Sequence, residues 1–121
     1  MSKLNHTFAQ GYAFQFGLPV YKGGRYLSQI LKRYAESGFP KDTINDKQLI
    51  IEIAQQQGIQ PNSLKQSIQR YINAGWKYGF SSKWQYFVGW NADTPPDVNT
   101  AICLLCESVD DYITTHCGRE K

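Results

Sequence analysis
Apolar residues recur three and four apart along most of the chain, and glycine and proline punctuate the stretches between them. That is the pattern of short amphipathic helices rather than alternating strands. The punctuation falls at residues 17–19, 23–24, 38–40, 58–61, 79–82 and 94–96, and the intervals predict six helices. The first, about 7–16, is short and aromatic, with its phenylalanines facing inward. The second, about 24–36, sets Tyr26, Leu27, Ile30, Leu31 and Tyr34 in a stripe beside Arg25, Lys32 and Arg33. A third, about 46–57, has Asn45 or Asp46 to cap it, Leu49, Ile50, Ile53 and Ala54 inward, and Gly58 to end it. The fourth, about 61–78, opens on Pro61 and places Leu64, Ile68, Tyr71, Ile72, Gly75 and Trp76 on one face. A fifth, aromatic helix is expected over 81–88. The sixth, over 96–115, turns Val98, Ile102, Leu105, Val109 and Ile113 inward. No segment reads as a strand, so the expected fold is all-α, a compact bundle of about six helices.

Composition agrees with one domain over 1–121, its core about 7–115: 121 residues, 41% hydrophobic and 14% aromatic, are enough to enclose a core. The opening "MSKLNHTFAQ" lacks a signal peptide's apolar run, and no stretch approaches the roughly 18 apolar residues of a membrane span. A cytoplasmic protein with no membrane partner is expected. Cys103, Cys106 and Cys117 are odd in number and clustered at one end, which suits reduced thiols better than a disulfide framework. Net charge is only +3, but its distribution is uneven. Lys3, Lys22, Arg25, Lys32 and Arg33 precede any acid, and 53–92 holds Lys65, Arg70, Lys77 and Lys83 without one. From 93 to 111 the sign reverses, with Asp93, Asp97, Glu107, Asp110 and Asp111 and no base. A fold that gathers the basic stretches on one side presents them to a polyanion, with the acidic stretch turned away.

The third and fourth helices are separated only by "GIQP", with the small Ala54 four residues before Gly58 and apolar Ile59 in the turn. This spacing, about 46–78, is that of a helix-turn-helix. Opposite its apolar stripe the fourth helix carries Asn62, Gln66, Gln69 and Asn73 in one line, with Lys65 and Arg70 beside it, Ser63 near its start and no carboxylate. A carboxamide offers a donor and an acceptor together and so matches the adenine edge in the major groove, while Lys65 suits guanine or phosphate. Free N–H groups at the helix start favour a phosphate oxygen. A solvated face covered with good helix formers would look similar, although asparagine is not one of them.

Along "IAQQQGIQPNSLKQSIQRYINAGW" the chain resembles the C-terminal DNA-binding effector domain of the stage-zero sporulation response regulator, a transcription factor family of endospore-forming bacteria. The likeness continues in "FGLPVYKGGRYLSQIL" upstream and "TPPDVNTAICLLCESVDDYI" downstream, in the same order, over about 14–113. It implies a six-helix domain that sets its second motif helix in the major groove, with adjacent copies on tandem sites. It places base contacts at Lys65 and Gln66 and backbone contacts around Ser63, Gln69 and Arg70. The family has glutamate where Lys65 stands and arginine at the positions of Ser63, Gln66 and Gln69, so a different target sequence is expected. No receiver domain is expected before Phe14.

Other chemistry is poorly served. Cys103, Cys106, His116 and Cys117 include zinc-ligand types, but the first two fall in a predicted helix beside Ile102 and Leu105, where cysteine packs as a small hydrophobe. His6 and His116 stand at opposite ends, no nucleophile elbow or phosphate loop is present, and Asp110 and Asp111 suit a solvated face. No catalytic, metal or cofactor site is therefore assigned. Trp76, Trp84, Tyr86, Phe87 and Trp90 suit packing more than a base-stacking platform. The expected function is sequence-specific binding of double-stranded DNA, as a bacterial transcriptional regulator and as a homodimer on repeated sites. Lys65, Gln66, Asn62, Gln69 and Asn73 would read bases, and Ser63, Arg70, Lys77 and Lys83 would hold the backbone. Two alternatives stay open: an accessory protein of plasmid or phage maintenance or transfer, and a protein-interaction module that kept the fold without DNA recognition.

Overall fold
The computed structural model describes residues 16–17, 21–37 and 45–116, with side chains as far as residue 109. Among these residues helix is the only regular structure. We label the helices α1 (Gly23–Ser37), α2 (Asp46–Gln57), α3 (Pro61–Gly75), α4 (Ser81–Val88) and α5 (Val98–His116), with a π turn, Trp76–Phe80, between α3 and α4. Of the first expected helix only Phe16 is described. His6 and Cys117, and the side chains of Asp110, Asp111, Ile113 and His116, lie outside the described residues.

The stripes read from the sequence become one core. Tyr26, Leu27, Ile30, Leu31 and Tyr34 of α1 meet Leu49, Ile50, Ile53 and Ala54 of α2 and Leu64, Ile68, Tyr71 and Ile72 of α3, with Val98, Ile102, Leu105 and Val109 of α5 completing it. α1 packs on α2, α3 and α5, and it comes very close to α3: a Cβ on Gly23 would stand 2.2 Å from the Ser67 carbonyl oxygen. Any larger residue at 23 must push the two helices apart. Phe16 and Trp84 pack edge-to-face at 4.7 Å between centroids, and the Trp84 indole donates to the Phe16 carbonyl oxygen at 3.2 Å. Arg33 of α1 reaches Glu52 of α2 at 3.0 Å, and Lys32 pairs with Glu36 within α1.

Local chemistry sets the ends of α2. Asn45 caps it, its Oδ1 accepting from the Gln48 N–H at 3.0 Å. Gly58 terminates it in the left-handed region, φ 70°, where its N–H donates to the Gln55 carbonyl and that of Ile59 to the Ala54 carbonyl. This crossed pair consumes carbonyls that the helix end would otherwise leave without partners. Ile59, in the turn, is half-buried at the edge of the core. Gln60 and Pro61 then start α3, so only three residues separate the two helices.

Two boundaries differ from the expected ones. The fourth helix was expected to run to 78, but regular winding stops at Gly75 and the chain opens into the π turn, ending in a kink at Gly79 with φ 92°. The last helix begins at Val98, not at 96. Its first carbonyl acceptor is Asp97, which receives the Ala101 N–H at 2.8 Å. Pro96 disfavours helical backbone at Pro95, and residues 95–97 carry no regular structure. No helix among the described residues is long and apolar enough to cross a membrane.

Candidate nucleic-acid interface
α3 is held firmly on one side and open on the other. Leu64, Ile68, Tyr71, Ile72 and Gly75 are buried. Asn62, Ser63, Gln66, Arg70 and Asn73 are exposed, and Lys65 and Gln69 are half-buried along one edge. At about 100° per residue, these seven outer positions occupy roughly 160° of the helix circumference. No carboxylate stands on α3 anywhere. The structure thus brings together seven of the nine residues expected to contact DNA. Lys77, on the π turn, and Lys83, on α4, are exposed beyond the helix. The Lys83 ammonium stands 5.9 Å from the centroid of the Phe87 ring.

The helix start is suited to an anion. Pro61 has no N–H, and the Gln60 side chain makes no capping bond to the first turn. The amides around Asn62 and Ser63 therefore carry the partial positive charge of the helix end without a side-chain acceptor supplied by Gln60.

One edge of the outer face is not bare. The Gln69 amide nitrogen donates to Asn73 Oδ1 at 3.1 Å and to the Pro96 carbonyl oxygen at 3.2 Å. This pins the segment before α5 against α3. Two grooves result: one of about 440 Å³ between Ile50, Ile51, Pro61, Lys65 and Asp97, and one of about 270 Å³ between Lys65, Gln66, Gln69, Asp97 and Asn99. Asp97 lines both. The acidic stretch is expected to turn away from the basic face, but its second acid, Asp97, does not. The diproline delays α5, and the Gln69–Pro96 bond draws Asp97 to the Lys65 edge. Helical spacing on α3 does not signal Asp97 and Asn99, which follow Pro96, itself 27 residues beyond Gln69.

The other constellations resolve into packing. Cys106 is wholly buried in the core. Cys103 is half-buried beside Asp46, the residue that also accepts from Asn99 Nδ2. Burial, and then the nearby Asp46 carboxylate, push the Cys103 thiol above its ordinary pKa, so it stays protonated. Among the described residues no three His, Cys, Asp or Glu side chains are grouped to hold a metal ion. Tyr71 is also raised by burial, an effect only partly offset by hydrogen bonds from the backbone of Phe16 and Gly17.

Of the five aromatics around α4, Trp84 is fully buried, Trp76, Phe87 and Trp90 are half-buried against the core, and only Tyr86 is exposed, at 81%. Tyr78 on the π turn is 70% exposed. The most exposed aromatics here are therefore tyrosines, while Trp84 is inside and Trp76 and Trp90 are half-covered. Comparison with protein-family models, with characterised proteins and with solved structures finds no match.

Proposed function
We propose that the protein binds double-stranded DNA sequence-specifically, as a bacterial transcriptional regulator, with α2 and α3 as a helix-turn-helix and α3 in the major groove. The observation that carries this reading is the outer arc of α3. It exposes Asn62, Ser63, Gln66, Arg70 and Asn73 with no carboxylate among them, on a helix whose other side is immobilised in the core. Amides and a guanidinium at this spacing fit base edges and phosphates. The short left-handed turn at Gly58 and the close Gly23–Ser67 approach support it by giving α3 a fixed angle.

In this reading Gln66 and Asn62 lie at the centre of the base contacts, with Lys65, Gln69 and Asn73 at their margin. Arg70, Ser63, Lys77 and Lys83 meet phosphates. The resemblance to the sporulation effector domain supports the same placement of the helix. Selection of bound duplexes from a random pool tests it: a recovered consensus is expected, and repeated half-sites would indicate paired copies. A pool that stays random through successive rounds contradicts sequence-specific binding.

A second reading, a protein-interaction module, is favoured by the exposed Tyr78 and Tyr86 and by Asp97 beside Lys65. Tyrosines are enriched at protein interfaces, and a carboxylate at the edge of the face weakens its pull on phosphates.

A further inference from the structure
From the hydrogen bonds on Gln69 we infer that this residue is a positioning residue: it fixes the polarity of Asn73, so that position 73 meets DNA as a hydrogen-bond donor. The inference rests on the DNA-binding reading and assigns roles within the same face.

A free carboxamide is ambiguous, because its oxygen and nitrogen can exchange places by a half-turn. The Pro96 carbonyl removes that freedom. A carbonyl oxygen only accepts, so the Gln69 group facing it at 3.2 Å must be the NH2. The same nitrogen lies 3.1 Å from the Asn73 carboxamide, so the atom of Asn73 that receives its second proton must be Oδ1. Both Gln69 protons are then spent. What remains at 69 is an acceptor, Oε1, and at 73 the whole donor pair of Nδ2, with Oδ1 already engaged by Gln69 through one of its two lone pairs.

Chemical consequences follow at both positions. Gln69 has no proton left for the two-pronged contact with adenine, which needs a donor and an acceptor from one side chain. Asn73, exposed and turned by its neighbour, suits edges that only accept in the major groove: guanine O6 and N7, or thymine O4. Asn62 and Gln66, both exposed, keep the two-faced amides that adenine requires. The four amides in line thus divide into two readers of mixed polarity, one donor, and one residue that orients it.

Two measurements test this on the full chain. The first needs no DNA: in the free protein, the side-chain NH2 protons of Gln69 should exchange with solvent more slowly than those of exposed Gln66. Equal exchange at the two sites overturns the inference alone. The second compares duplexes selected from a random pool by the wild type, Gln69→Glu, Gln69→Leu and Asn73→Asp, with thermal melts to show that each variant is folded. Neither replacement at 69 can donate, so the consensus should survive except at one base pair, where preference falls from about tenfold to about twofold. Asn73→Asp still accepts from Gln69 but offers no donor, so the same base pair should change to one presenting an amino group, such as cytosine. Unchanged preference there in folded variants at 69 contradicts the positioning role. A wild type that enriches no sequence removes the DNA reading, and the base assignment with it.

Discussion
The outer faces of α3 and α4 are separated by a single π turn and differ in chemistry. α3 exposes three amides, a hydroxyl and a guanidinium, whereas α4 and the turn before it expose two tyrosines beside Lys77 and Lys83, with Tyr86 packed edge-to-face on Phe87 at 4.8 Å. Amides discriminate only when a partner presents fixed donors and acceptors at matching spacing, as base edges do. A phenol ring gains from contact area and tolerates many partners. The same core supports both faces, so substitutions can remove one and leave the other.

The largest effect should come from the shared foundation. Ile68→Ala empties a fully buried site and should cost about 2–5 kcal/mol, read as a lower denaturation midpoint with the loss of both surfaces. Arg70→Ala should leave stability nearly unchanged and weaken binding to every duplex by about 1.5–3 kcal/mol, the range for a hydrogen bond to a charged group. Titration of specific and random duplexes checks that uniformity. Gln66→Ala should instead act at one base pair, reducing discrimination there by about 1–3 kcal/mol. If Arg70→Ala and Gln66→Ala changed affinity alike on specific and random DNA, the division between reading and holding would be wrong.

Two smaller predictions concern geometry and the second face. Gly58→Ala meets no neighbouring atom, so its cost is conformational, about 1–2 kcal/mol for holding a side chain at φ 70°. Calorimetry should register it without a change in base preference. Tyr86→Ser should alter stability by less than about 0.5 kcal/mol because the ring is mostly exposed, and DNA affinity should not move. A large loss of DNA binding on Tyr86→Ser would instead extend the DNA contact of α4 from Lys83 to this ring.

Much of this was legible from residue spacing. The expected helices over 46–57 and 81–88 coincide with α2 and α4, Asn45 caps as its type suggests, and every apolar position named inward for α1 and α2 is buried. These features depend on neighbours within one or two turns. The errors arose where distant segments meet or the backbone departs from regular winding. Gly79 looked like ordinary punctuation, and only its positive φ, following a wide turn, explains why α3 ends three residues before 78. The outer arc of α3 was readable because the buried stripe defines it. The covering of its edge was not, since the bond from Gln69 to Pro96 joins two segments that no periodicity relates.

A face of α3 that meets a polyanion must release counterions on binding, so its affinity has to depend on salt. Duplex affinity should be measured from about 50 to 200 mM salt. With Arg70, Lys77 and Lys83 on phosphates, log K should fall against log salt with a slope of about −3, and Arg70→Ala should make it shallower by about one. A slope near zero, or one that Arg70→Ala leaves unchanged, would contradict the account.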